Sequence, residues 1–274
     1  MSWVQYKVVL RLLSPLHIGW RKVGNLQQTR KYVTGKVFWA ALTARLTRDM
    51  GRGTRGKAYV DMGNKICEHF RFSYFYPALQ NDVKEIESVE DLDVYYPWGE
   101  KDFDYLFLNS YASTAMDRSN RTSEEGTLHE TEFISPRSRN GEQVHLVGDI
   151  WVKDQLLEEV KEWDKSLGYL RLGGERSYGW GQVEPAFDPV KVKRLEEIRI
   201  KNKKHVLAHV DAINIRDELK GHIEPLVGWE HDIGKGWTLT KNVKLAFVPG
   251  SVVTCDSITF AVDSYGIWRM VRKN

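Results

Sequence analysis

The stretch Leu170–Glu184, LRLGGERSYGWGQVE, limits the folds open to this chain more than any other. It follows a segment of helical period and runs into a segment that reads as a strand, so its four glycines sit in a helix–loop–strand connection. A Walker-type phosphate loop needs G-K-[ST] and a helix after it, and a dinucleotide fingerprint needs a strand before it and a helix after it. Neither order is present. Two readings of the glycines stay open. In one, Gly173-Gly174 ends the helix while Gly179 and Gly181 relieve crowding in the strand. In the other, the glycines let a ligand come close to the backbone. Arg171, Arg176, Tyr178 and Trp180 lie in the same dozen residues, and guanidinium forks with flat aromatic faces are what single-stranded RNA requires.

Hydrophobic periodicity orders the rest of the chain. Val4, Tyr6, Val8, Leu10 and Leu12 alternate as a half-buried strand that Ser14-Pro15 ends. Gly35 to Asp49 has helical spacing, with Thr34 as N-cap. Cys67 to Ala78 is aromatic and alternating, which predicts a strand. Residues 79–110 are acidic and read as an insertion outside the core. Extended runs at Ser110–Met116 and Leu128–Ile134, joined by DRSNRTSEEG, predict a long hairpin. Gln143–Val152 alternates as a strand, and Leu156, Val160, Trp163 and Leu167 mark one face of a helix over 153–170. Strand, helix, strand, strand, helix, strand predicts an α+β, ferredoxin-like (RRM-like) domain over residues 1–190, with an insertion and hairpin at 79–142. Residues 191–274 read as a β-rich C-terminal segment, either a second small domain or an added sheet.

Charge is unevenly spread although the formal net charge is only +3. Residues 1–57 hold twelve Lys/Arg against Asp49, residues 82–104 hold nine acids against Lys84 and Lys101, and Lys191–Lys204 is basic again. Such asymmetry suits a polyanion on one face and a protein neighbour on another, or an unevenly charged solvated surface. The N-terminus lacks the basic-then-apolar run of a signal peptide, and no apolar stretch is long enough to span a bilayer. Cys67 and Cys255 fit neither a disulfide framework nor a metal spacing, so a cytoplasmic setting without membrane association is expected.

Three stretches resemble the RAMP superfamily of CRISPR-associated proteins. The first is SPLHIG (Ser14–Gly19) followed by YVTGKVFWAALTARL, where Gly35 matches the family's turn before the first helix. The second is DRSNRTSEEGTLHETEF, similar to the hairpin of type III interference subunits at Asp117, Arg118, Gly126, Leu128 and Glu132. The third is LGGERSYGWGQVE. The resemblance spans roughly residues 8–186 and leaves the C-terminal segment uncovered. It implies a subunit of a type III CRISPR RNA-guided interference complex that holds CRISPR RNA by its ribose-phosphate backbone, with target RNA and other CRISPR-associated subunits as partners. Arg118 and the glycine loop (Arg171, Gly173, Gly174, Arg176, Tyr178, Gly179, Trp180, Gly181) would then contact RNA. Arg21, Lys22, Arg30, Lys31 and Lys36, on a stretch without acids that leads to a helix N-terminus, would join them.

Two chemistries of the superfamily are open to test in the sequence. Metal-dependent target cleavage needs an aspartate after the first strand, and Gly19–Thr34 contains no carboxylate to anchor a divalent ion. Metal-independent processing of CRISPR RNA needs a general base, for which His17 is the candidate and His129 a weaker one. His205 and His209 fall in a strand-like run, where i and i+4 lie too far apart for one ion. Glu230-His231-Asp232 is a lone His-Asp pair. The expectation is a non-catalytic RNA-binding subunit with no cofactor and no metal. The alternatives are an endoribonuclease acting through His17, and an assembly subunit using the acidic stretch 82–104 to meet proteins.

Overall fold

The computed structural model describes residues 2–51, 56–81, 86–99, 101–117, 119, 122–192, 197–215, 217–232, 236–239 and 243–271. Its elements begin with β1 (Trp3–Leu12), β2 (Gly19–Val23), β3 (Leu26–Thr29), α1 (Gly35–Asp49), α2 (Gly56–His69), β4 (Phe70–Phe72) and β5 (Tyr76–Gln80). Next come β6 (Leu92–Val94), α3 (Phe103–Phe107), β7 (Leu108–Ser113), β8 (Met116–Asp117), β9 (Thr122–Ser123), β10 (His129–Ile134), β11 (His145–Lys153) and β12 (Val183–Pro185). The remainder is β13 (Val190–Val192), β14 (Ile198–Lys201), β15 (Val210–Asp211), β16 (Leu219–Lys220), β17 (Ile223–Leu226) and β18 (Trp229–Asp232). After these follow β19 (Gly236–Leu239), β20 (Lys244–Phe247), β21 (Val252–Val253), β22 (Ser257–Val262) and β23 (Trp268–Met270).

The main sheet runs β12-β1-β11-β5-β6, with β13 also paired to β1 and β4 to β11. Its central pair is antiparallel, with Leu10 opposite Leu146 and Val8 opposite Gly148. Val8, Leu10 and Leu12 point into the large core beneath α1, while Val9 joins Ala78, Leu92 and Val147 on the opposite side. The polar-looking phase of β1 is therefore buried at Val9 too. α1 begins as its sequence predicts: the Thr34 hydroxyl accepts a hydrogen bond from Val37 N–H at 3.4 Å, satisfying one of the helix's orphan donors. Phe38 stacks on Phe75 with ring centroids 4.5 Å apart, and Leu42 and Leu46 continue that face into the core.

Three sequence expectations are corrected. Cys67–Ala78 is not one strand, because α2 runs to His69 and only then do β4 and β5 begin. α2 is amphipathic, burying Met62, Gly63 and Ile66. Trp39 of α1 donates Nε1–H to Gly63 O at 3.0 Å, and a Cβ on Gly63 would press on that indole, so the helix pair needs a small residue there. Residues 79–110 are not outside the core: Leu79, Phe103 and Phe107 are buried in it and β6 extends the sheet. The predicted helix over 153–170 is two 3₁₀ turns, Glu158–Val160 and Lys165–Tyr169. Val160, Trp163 and Leu167 are buried as their spacing requires. Trp163, edge-on to Tyr6 and Phe70, fixes the segment by tertiary packing.

The C-terminal segment is β-rich as expected, a sheet ordered β14-β22-β23-β15-β20-β17 with the small pairs β16–β21 and β18–β19. Phe260, Trp268, Val206 and Val210 form its core, and Tyr32, Tyr74 and Tyr76 of the first half belong to the same cluster. Tyr76 donates its hydroxyl to Leu207 O at 2.6 Å, so the two halves share a tyrosine-lined seam.

His145, on β11, is buried, and burial pulls its pKa down to about 4. The unfolded chain binds that proton at about 6.5. Stability is thus complete above about pH 6.5 and falls as pH drops towards 4, by up to about 3 kcal/mol. Denaturant midpoints between pH 7 and pH 4.5 should show this loss, and His145→Gln should flatten the part of the curve between pH 6.5 and 4. An unchanged slope in His145→Gln would assign the acid sensitivity elsewhere.

Candidate nucleic-acid interface

The glycine loop is braced against the end of β1. Gly181 N–H donates to Pro15 O and Gly174 N–H to His17 O, each at 2.8 Å, and Leu172 N–H donates to Gly181 O at 2.8 Å. Gly173 and Gly181 both have positive φ, and a Cβ on either would overlap a backbone carbonyl, that of His17 or of Leu172 respectively. These glycines exist because two chain segments lie against each other. Gly179 differs: its φ is +83° but open space surrounds it. It terminates a 3₁₀ turn over Arg176–Tyr178 that carries both side chains outward, leaving Tyr178 78% exposed. Trp180 turns the other way, edge-on to Phe133 at 5.0 Å, and packs against the β7–β10 hairpin rather than forming a free stacking surface.

A cleft of about 670 Å3 opens beside this loop. It is lined by Arg171, Gly173, Gly174 and Arg176 of the loop, by Thr34 and Lys36 at the start of α1, and by Trp20 and Arg30. The outer wall comes from the C-terminal half: Leu226, Val227, Lys244, Tyr265 and Ile267. Arg171 and Arg176 also border a second cleft of about 480 Å3 with Arg45, Arg48 and Tyr169. Among the described residues no carboxylate pairs with Arg171 or Arg176. The two guanidinium groups thus form a cationic ridge between two concave surfaces, which suits a phosphodiester chain.

The basic stretch before α1 is a β-hairpin, β2–β3, and its cations have different roles. Arg21 and Lys22 are exposed on β2; Arg21 lies over the Trp20 ring at 4.1 Å. Lys31 is paired with Asp104 at 2.7 Å, which ties the acidic segment to the basic one within the molecule. Arg30 is mostly buried and donates to Glu224 at 2.7 Å. The same carboxylate receives His209 Nε2–H at 2.7 Å and Trp20 Nε1–H at 3.2 Å, and Tyr74 donates its hydroxyl to His209 Nδ1 at 2.6 Å. Burial pulls the His209 pKa below its usual value against the opposing pull of Glu224, so the ring is neutral with its proton on the nitrogen facing the carboxylate. Burial works against the Glu224 charge, yet the His209 hydrogen bond and Arg30 hold its pKa down to about 2. Arg30 is therefore a structural cation at the floor of the cleft.

His17 is 6% exposed, and its Nδ1–H donates to Glu132 O at 2.7 Å. Glu132 also accepts from Thr29 N–H at 2.9 Å, so the motif glutamate ties the β7–β10 hairpin to β3. His129 is held by Ser113 and Thr127. His205 bonds to Gly250 O at 2.8 Å, apart from the role of His209. Arg118 lies outside the described residues, as do Asn120 and Arg121. Among the described residues no cluster of three or more His, Cys, Asp or Glu is placed to hold a metal ion, and no helix is long and apolar enough to cross a membrane. The sequence missed the outer wall, because Lys244 and Tyr265 lie more than two hundred residues from the first strand and carry no motif.

The chain is thus a mixed α+β protein with several sheets and a basic, glycine-braced cleft. The chain belongs to the RAMP superfamily, whose family model matches residues 9–184. No curated protein matches the chain. Among solved structures, the fold is similar to a chain in the cryo-EM structure of the Type III-B Cmr-beta bound to cognate target RNA and AMPPnP, state 1. That match has a TM-score of 0.51 at 15% identity and covers 90% of this chain and 85% of that one. A chain in the Type III-B Cmr-beta bound to cognate target RNA gives a TM-score of 0.49 at 16% identity, covering 90% and 86%.

Proposed function

We propose that this protein is a non-catalytic RNA-binding subunit of a type III CRISPR RNA-guided interference complex, holding single-stranded CRISPR RNA by its ribose-phosphate backbone. The observation that carries this reading is the Arg171–Arg176 ridge, without a carboxylate partner among the described residues and bordering two concave surfaces. Membership of the RAMP superfamily supports it, as does a fold similar to a chain of a Cmr-beta bound to cognate target RNA. The order β12-β1-β11-β5 places the fourth, first, third and second strands of the sequence pattern side by side, which supports the ferredoxin-like reading, with 3₁₀ turns in place of its second helix. Backbone contacts suit a guide whose bases change. His17 as a general base is disfavoured by the burial of its ring; the Nδ1–H bond to the Glu132 carbonyl fixes the tautomer and leaves Nε2 as the basic nitrogen.

Arg171→Ala/Arg176→Ala should weaken binding of CRISPR repeat RNA by about tenfold at low salt and reduce the salt slope by about 0.7 per lost phosphate contact. Fluorescence anisotropy at several salt concentrations reads both quantities, and the same samples on a denaturing gel read cleavage. Unchanged affinity and slope would remove the ridge from the interface. A discrete cut without added metal would replace this reading with that of a processing enzyme.

A further inference from the structure

Resting on that reading, we infer that Leu226, Val227, Lys244, Tyr265 and Ile267 of the C-terminal segment take part in binding RNA: they complete a pocket that receives one nucleotide of the bound strand. The superfamily match ends at residue 184, so this wall is supplied by a part of the chain that the family likeness leaves without a role. The cleft has the size of a small-ligand site. Two cations line it, Lys36 on α1, whose ammonium lies over the Tyr265 ring at 5.9 Å, and Lys244 on β20. Lys244 is only loosely paired, its Nζ 3.8 Å from Asp263. Two aromatic side chains line the same space, Trp20 on the hairpin and Tyr265 on the outer wall. Cations around a concave site with an indole and a phenol match a phosphate, a ribose and a base together, since stacking and phosphate contact are the two terms that hold single strands.

The wall is fixed in place. Gly35 lies so close to the Tyr265 carbonyl that a Cβ there would overlap it, and Gly266 has a φ of +80° against Phe72 O. The Arg30–Glu224–His209–Tyr74 chain of hydrogen bonds anchors β17 beneath the cleft. The carboxylate nearest the floor is thereby matched by a guanidinium and does not present an uncompensated negative charge to a phosphate. A preformed wall of this kind costs little ordering on binding. The adjoining Arg171–Arg176 ridge would hold the neighbouring phosphates, so a strand crossing the ridge can turn one nucleotide into the pocket.

The test is photocrosslinking with a single-stranded RNA carrying 4-thiouridine throughout, followed by peptide mapping, on wild-type protein, Val227→Glu and Lys244→Ala. Val227 is about half exposed at the rim, so a glutamate there is tolerated by the fold and repels a phosphate-bearing group. Wild type should give adducts on the glycine loop and on the peptide containing Tyr265. Both variants should lower the Tyr265-peptide adduct by about fivefold or more while the glycine-loop adducts persist. Glycine-loop adducts with none between residues 205 and 271 would overturn the pocket and leave the RNA-binding reading standing. An absence of any adduct or binding would overturn both. Equal labelling of the Tyr265 peptide by 4-thiouridine monophosphate alone would reassign the pocket to a free nucleotide and overturn its role for a strand.

Discussion

Gly181→Ala is expected to cost the protein about 3 kcal/mol or more, measured as a shift in the urea midpoint at constant m-value. Two effects add. The residue sits at a φ of +76°, where a non-glycine residue is strained by about 1–2 kcal/mol. Its Cβ would also overlap Leu172 O, and relief by moving the loop would break the bonds to Pro15 and from Leu172, each worth about 1 kcal/mol. Gly179→Ala supplies the control. Its backbone has the same sign of φ but open space around it, so only the conformational cost of about 1–2 kcal/mol applies. Equal losses at the two positions would mean that the loop is not braced against β1. Gly179→Ala also leaves the Arg176–Tyr178 turn in place, so its RNA affinity should stay close to that of wild type.

Arg30→Ala should be nearly as damaging, by about 3 kcal/mol, the lower end of what removing one partner of a buried ion pair costs. The loss arises because Glu224 is left largely desolvated with only His209 and Trp20 to satisfy it. Arg21→Ala, on the exposed face of β2, should fall within about 0.5 kcal/mol of wild type. Glu224→Gln combined with Arg30→Ala should recover part of the loss, since the stranded charge is gone, and the double-mutant cycle would give the coupling directly. A loss from Arg30→Ala no larger than that from Arg21→Ala would show that the seam between the two halves does not depend on this pair. The pair is insensitive to ordinary acidity. Glu224 titrates at about 2 in the folded protein, so its contribution is present above its unfolded value near 4.3 and fades only as pH falls towards 2.

These two predictions mark where the sequence was readable. Local signals were legible: the alternation of β1, the Thr34 cap of α1, and the β7–β10 hairpin all depend on residues close to one another. The order of glycine loop and strand excluded two phosphate-binding loops without any coordinates. Long-range partners were not legible. Arg30 and Arg171 look alike in sequence, yet one is bonded to Glu224, almost two hundred residues away, and the other lies on an open ridge. α2 was hidden by the aromatic alternation just beyond it, which drew the predicted strand back to Cys67. The periodicity over 153–170 named the buried side chains correctly and the backbone wrongly, because 3₁₀ turns can present the same face when Trp163 is held by Tyr6 and Phe70. The outer wall of the cleft was invisible for the same reason as Glu224.

The position of β1 in the main sheet has a consequence for synthesis. Every described partner of this strand follows it by a long stretch of chain; the nearest register pair joins Arg11 to His145. During translation, Val8, Val9, Leu10 and Leu12 leave the ribosome with nothing to pair with until β11 emerges, about ten seconds later at ordinary elongation rates. Loop closure over that distance must precede any reward from the sheet. The nascent chain therefore passes through a period in which this long, apolar-faced strand is unprotected, and its yield in the cell should depend on elongation speed and on chaperones that shield that strand.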